Sequence, residues 1–177
     1  TQQKEFNNEL QKLSRIAQET QNGVIITDKN HCIEWVNNAF ERISGYTLGE
    51  IKGRKPGDFL QGPETDPVQV GYIRSQLRKQ KSFETELINY RKDGTKYWIS
   101  LQVQPIFDGH GNLQEYFSIQ SDISAQKRAD ESLKRSEEQY RFLFDNNPAS
   151  IFIWNIDDFT FAEVNETFVH VYGYSSA

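Results

Sequence analysis

Residues 83–123, FETELINYRKDGTKYWISLQVQPIFDGHGNLQEYFSIQSDI, decide the fold. Apolar, β-branched and aromatic side chains alternate with polar ones over 83–90, 96–107 and 113–123, and the two interruptions, KDGT and GHGN, carry the glycines that tight hairpin turns need. This is a three-stranded antiparallel meander. Upstream, VIITD (24–28), a turn DKNH and CIEWVN (32–37) read as a separate β-hairpin. Between the two, Asn38 is placed to cap a short helix, AFERIS, closed by Gly45, and further short helical pieces run to Lys52. PVQVGYIRSQLRKQ (67–80) begins with proline at a first helical position, with Glu64 and Asp66 as its caps and Val70, Ile73 and Leu77 on one side. Two strands, short helices and three strands fit one layered solution, an α+β domain of about 100 residues in which a five-stranded antiparallel sheet carries helices on one face.

Helices flank this domain. In residues 1–18, Phe6, Leu10, Leu13 and Ala17 recur at steps of four and three, the narrow apolar stripe of an amphipathic, coiled-coil-type helix. Residues 124–144, SAQKRADESLKRSEEQYRFLF, place Ala129, Leu133, Ser136, Tyr140 and Leu143 on a coiled-coil seam with a small polar residue at its centre. The acid-before-base pairs Asp130–Lys134, Glu131–Arg135 and Glu137–Arg141 support an exposed helix. Such a helix either packs on its own domain or pairs with a second copy. A seam this narrow buries little in a monomer, which favours a homodimer.

VNNAFERISGYT (36–47) recurs as VNETFVHVYGYS (164–175), keeping Val, Asn, Phe, Gly and Tyr in register, and VIITD is echoed by IFIWN (151–155). A second copy of the same module therefore starts near Glu138. The expected organisation is an N-terminal amphipathic helix (1–18), a complete module (19–123), a helical linker (124–144) and the truncated start of a second module (145–177).

Composition narrows the function. Hydrophobic residues make up 36% and aromatics 13%, a globular balance, while a net charge of -5 supplies no basic face for nucleic acid. Cys32 is the only cysteine, so no intrachain disulfide forms and a cytoplasmic setting is expected. The chain has no apolar run of about 18 residues and no membrane contact of its own is expected. It starts at Thr1 and contains no methionine, which suggests a piece of a longer polypeptide.

The stretches NGVIITD, IEWVNNAFERISGYT, LINYRKDGTKYW and FSIQSDISAQKRAD, in that order, resemble a PAS domain with its C-terminal PAC portion, and the shared pattern in 138–177 resembles a tandem PAS repeat. The resemblance covers nearly the whole chain. It implies a small ligand held between sheet and helices, a downstream output domain in the same chain, and a change passed on through a helix. It also implies a non-catalytic regulatory module whose parent is a sensor histidine kinase or, alternatively, a diguanylate cyclase or phosphodiesterase. Asp122, where strand becomes helix, is the expected hinge contact, and Ala129, Leu133, Tyr140 and Leu143 are the expected dimer residues.

Residues 53–66, GRKPGDFLQGPETD, could be a ligand-cradling loop or only a turn between helices. They are similar to the corresponding loop of the flavin-binding LOV branch, GRNCRFLQG, whose cysteine forms an adduct with the excited flavin. Here the loop is one residue longer and the cysteine position falls on Pro56 or Gly57, neither of them a nucleophile. By resemblance Gln61, Asn89 and Gln120 match flavin-ring contacts and Arg74 a phosphate-binding arginine. Asp58 stands where a second such arginine would be, and Ile99 where a second asparagine would be. A carboxylate beside a phosphate and a lost amide each cost on the order of 1–3 kcal/mol, which counts against FMN, and the cofactor stays open. A flavin-binding photo- or redox sensor without an adduct is the competing function.

The remaining candidates read as structure. His31 and His110 lie in turns and His170 in the second copy, without metal or haem spacing, and read as surface histidines. Cys32 reads as the first residue of a strand, and Trp35, Trp98 and Trp154 as sheet residues.

Overall fold

In a computed structural model the structure describes residues 20–173. The helix expected over 1–18 lies outside them, as do Tyr174 and Ser175 of the repeat. The chain divides into two compact units, one ending at Ala125 and the other beginning at Gln126.

In the first unit, β1 (Gly23–Asp28) and β2 (Ile33–Val36) pair antiparallel, with Ile25 opposite Val36 and Ile26 opposite Trp35. Asp28 organises the turn. Its Oδ1 accepts from the backbone N–H groups of Asn30 (2.9 Å) and Cys32 (2.8 Å), and His31 takes a left-handed φ of 68°. Cys32 thus belongs to the turn, and β2 begins one residue later than the sequence suggested.

The meander forms as expected: β3 (Phe83–Tyr90), β4 (Lys96–Phe107) and β5 (Leu113–Asp122) pair in succession, with Leu87 opposite Ile99 and Leu101 opposite Gln120. The hairpin attaches to β5, with Ile25 opposite Ser118 and Gly23 opposite Gln120, which gives the order β2-β1-β5-β4-β3. The result is the expected five-stranded antiparallel sheet. Its inner face carries Ile25, Thr27, Leu87, Ile99, Val103 and Tyr116, all buried. That period of two is what one covered face imposes.

The covering layer is made of α1 (Asn38–Ser44), α2 (Leu48–Ile51), α3 (Gly57–Leu60) and α4 (Pro67–Arg78). Phe40, Ile51 and Leu60, each at most 1% exposed, drive these short helices onto Ile25, Ile33 and Val36. The cap of α1 is Asn37, a correction to Asn38. Asn37 Oδ1 accepts from Phe40 N (2.9 Å) and Val24 N (2.8 Å), and its Nδ2 donates to Asn22 O (3.0 Å), so one buried amide ties strand to helix. Gly45 closes α1 at φ 78°, its N–H donating to Glu41 O. Asp66 caps α4 as expected, accepting from Val68 N at 2.8 Å. Glu64 does not cap it and pairs with Lys96 at 2.6 Å.

α5 (Ser124–Asp145) begins directly after β5. In the second unit β6 (Phe152–Trp154) and β7 (Phe161–Val164) form a hairpin followed by α6 (Glu166–Tyr172). The repeat is physical as well as textual. Asn165 Oδ1 accepts from Phe168 N and Ile151 N, both at 2.9 Å, and Gly173 closes α6 at φ 72°, as Asn37 and Gly45 do in the first unit.

Candidate ligand-binding site

Between the inner sheet face and the wall of α3 and α4 the first unit encloses a cavity of about 390 Å³. That lies within the roughly 300–1,000 Å³ usual for small-molecule sites. Gln61 reaches it from the loop after α3, Arg74 from α4, Asn89 from β3 and Gln120 from β5, so four residues spread over 60 positions of sequence share one space. Ile99 and the Pro56-Gly57-Asp58 segment line the same space. Cys32 is not among its lining residues.

The chemistry of the lining is uneven. Ile25, Leu60, Leu87 and Ile99 make an apolar slot, into which Asn89 (3% exposed) and Gln120 (4% exposed) bring amides. Gln120 Oε1 is buried with no hydrogen-bond partner. Leaving such a group unpaired costs about 1–3 kcal/mol, so the protein's own side chains do not complete this cavity. Gln120→Leu is accordingly expected to raise the stability of the ligand-free protein by about 1 kcal/mol, read as a higher urea midpoint with an unchanged slope. A lowered midpoint would mean that the amide is satisfied within the fold.

The loop that shapes the mouth is bolted to β3. Gly62 N donates to Thr65 Oγ1 (2.9 Å), Thr65 Oγ1 donates to Ile88 O (2.7 Å), and Glu64 N donates to Tyr90 Oη (3.0 Å). The stretch GRKPGDFLQGPETD is thus a structured turn, and Lys55, Pro56, Gly57, Asp58, Leu60 and Gln61 within it line the cavity.

His31, expected on the surface, is half-buried and lines the cavity, its ring centroid 5.0 Å from that of Tyr116. Its Nδ1 is buried and unpaired. Burial lowers its pKa, the Lys55 ammonium lowers it further, and Asp28 opposes both. Lys55 lies on the same rim. Sequence reading also passed over Tyr116 and Ser118, although their even spacing from Gln120 on β5 could have indicated them.

At the other end of the sheet, Asp122 is placed where it was expected. Its Oδ1 accepts from Ser124 N (2.9 Å), the first residue of α5, and its Oδ2 pairs with Arg91 (2.7 Å). Burial pushes the Asp122 carboxyl up, but the hydrogen bonds from Ser124 and Arg91 outweigh it and hold the pKa below the usual value. Along α5, Leu133 and Leu143 are 61% and 68% exposed and Ala129 is exposed. Tyr140, 46% exposed, stacks on Phe144 and approaches Glu163 at 3.4 Å. Among the described residues no helix is long and apolar enough to cross a membrane.

A PAS domain model matches residues 21–125, more than half of the chain, and a second PAS domain model matches residues 138–177. The chain belongs to the PAS family. Among its curated relatives, the blue-light-activated histidine kinase 1 of Erythrobacter litoralis is 36% identical over 131 residues, covering 71% of this chain and 36% of that protein. The blue-light photoreceptor of Listeria monocytogenes is 38% identical over 117 residues, covering 64% of this chain and 46% of that one. The chain thus spans less than half the length of either relative. A solved structure from a study of a flavin analogue and the light-oxygen-voltage domain mechanism superposes with a TM-score of 0.60 at 34% identity, over 72% of this chain and 96% of that one. These likenesses place the cavity in a PAS domain of the light-oxygen-voltage type, and make the chain a sensory signalling module.

Proposed function

We propose that this chain is a non-catalytic sensory and dimerisation module in which the first PAS unit reads a small ligand and α5 carries the result to an output domain in the same polypeptide. The observation that carries the reading is the cavity with the buried, unpaired Oε1 of Gln120, two residues before Asp122 on the strand that runs into α5. A ligand that satisfies Gln120 bears directly on that strand. Ala129, Leu133, Tyr140 and Leu143 form the seam of a parallel homodimer. The names of the relatives favour a sensor histidine kinase as the parent, ahead of a diguanylate cyclase or phosphodiesterase, and the single cysteine favours a cytoplasmic setting.

A second reading is a flavin sensor that works without a cysteine adduct, supported by the amides already in the cavity and by the light-oxygen-voltage relatives. Asn89, Gln120 and Gln61 would hold the polar edge of the ring, and Arg74 would face the phosphate. Bound there, a flavin supplies blue-light absorption and electron transfer. Pro56 and Gly57 supply no thiol, Ile99 withholds one amide, and Asp58 sets a carboxylate on the rim, so the binding is non-covalent and weakened.

An absorption spectrum and a sedimentation profile of the purified chain test both readings. A colourless dimer supports the first, a yellow preparation with flavin bands supports the second, and a monomer at high micromolar concentration overturns the helix-mediated dimer.

A further inference from the structure

We infer that His31 and Lys55 form a subsite for the carboxylate of an elongated organic acid, at the end of the cavity away from the Gln120 amide. The inference deepens the reading of the cavity as a ligand site and rests on it. Tyr116 and Gln120 stand on the inner face of β5 four residues apart, roughly 13 Å at a strand's rise of about 3.3 Å per residue. The His31 ring packs on that of Tyr116, 5.0 Å between centroids, and so belongs to the end remote from Gln120. Between the two ends runs one cross-strand row, Phe83 opposite Val103, Val103 opposite Ser118 and Ser118 opposite Ile25. The cavity is therefore polar at both ends and largely apolar between them.

His31 Nδ1 is buried and has no partner within the fold. Asp28 does not supply one, because its Oδ1 is engaged by the amides of Asn30 and Cys32 in the turn. Lys55 is brought to the same rim by the backbone. Ile33 N donates to Arg54 O (2.9 Å) and Gly53 N donates to Ile33 O (2.8 Å), which ties the residues just before Lys55 to a position two along from His31. A buried ring nitrogen and an ammonium that converge on one space suit an oxygen anion, which accepts from both.

The charges around the imidazole select the kind of anion. Lys55 faces it from the loop, Asp28 from the turn and Tyr116 from β5, while Arg74 and Asp58 line the same space. Lys55 and Arg74 against Asp58 leave a single net positive charge while His31 is neutral, which matches a carboxylate better than a phosphate dianion. Burial and Lys55 both hold the imidazole neutral. A carboxylate set between imidazole and ammonium opposes that effect, so its binding raises the His31 pKa and tightens as pH falls through the raised value. At the other end Gln120 Oε1 lacks a donor, so the far end of the ligand carries an N–H or O–H group.

Calorimetry on the whole chain with hydroxyphenylbutyric and indolebutyric acids, each beside the primary alcohol of the same skeleton, tests the subsite. The acids are expected to bind at least about ten-fold more tightly than the alcohols at neutral pH, and by a wider margin at mildly acidic pH. Lys55→Gln, and His31→Asn, which tolerates the left-handed backbone, are each expected to cut that ratio to about three-fold or less. Gln120→Leu is expected to weaken acid and alcohol alike and to leave the ratio unchanged. The ring nitrogens of His31 are expected to shift in the nitrogen NMR spectrum when an acid is added, while those of the exposed His110 and His170 stay still. Equal binding of acid and alcohol overturns the carboxylate subsite and leaves the ligand reading standing. A ratio that survives Lys55→Gln and His31→Asn but falls in Arg74→Gln sets the anion on α4 and also overturns it. Binding of neither acid nor alcohol overturns the subsite together with the ligand reading, so the two failures are distinguishable.

Discussion

Replacing Asn37 with alanine is expected to cost about 3–5 kcal/mol of folding stability in the first unit. The side chain is 1% exposed and hydrogen-bonds to Val24 N, Phe40 N and Asn22 O. Alanine leaves two backbone donors facing a cavity that water does not readily fill, at about 1–3 kcal/mol each, and removes a helix cap worth about 1 kcal/mol. Phe40, with no exposed surface, hangs on the same turn, so the loss reaches the core. Against the roughly 5–15 kcal/mol that holds an ordinary domain together, this is a large fraction. Asn38→Ala, one residue along and exposed, is expected to change stability by less than about 0.5 kcal/mol. Urea midpoints of the two variants decide the matter. Equal, small shifts would mean that the buried amide does not join hairpin to helix.

The contrast between these neighbours also shows what the sequence could disclose. Either asparagine can cap a helix. The choice falls on Asn37 because only it can bond β1 and α1 at once, a relation between segments that local pattern does not express. Strand identity was legible because a sheet with one covered face imposes a period of two on each strand separately. The union of the hairpin with β5 was not, since Ile25 opposite Ser118 is a pairing across 93 residues that neither strand's own alternation names. The site divides in the same way. Gln61, Arg74, Asn89 and Gln120 were found by likeness to a family motif, and the fold does bring them into one cavity. His31 was missed because DKNH reads as a polar turn, and its inward aim depends on a left-handed backbone held by Asp28. Arg91 lies in the stretch LINYRKDGTKYW that carried the resemblance, but its meeting with Asp122 becomes visible only with β3, β4 and β5 side by side.

Gly62→Ala is expected to cost about 2–3 kcal/mol and to loosen the mouth of the cavity. A Cβ on Gly62 would lie 2.4 Å from both Cδ2 and Cε2 of Tyr90, far inside contact distance. The ring is not free to move aside, because the Tyr90 hydroxyl accepts from Glu64 N in the same loop. Relief therefore means losing that hydrogen bond or lifting residues 61–66 off β3, where Thr65 also holds Ile88 O. Overpacking typically costs about 1–3 kcal/mol, and a lost hydrogen bond adds about 1 kcal/mol. Gln61, adjacent to the clash, lines the cavity, so the same change is expected to weaken whatever ligand the protein binds. A double-mutant cycle isolates the cause. In a Tyr90→Ala background the space is open and Gly62→Ala is expected to cost little, giving an interaction energy of at least about 1 kcal/mol. Equal costs in both backgrounds would place the strain in the backbone of 61–66 and not against the ring.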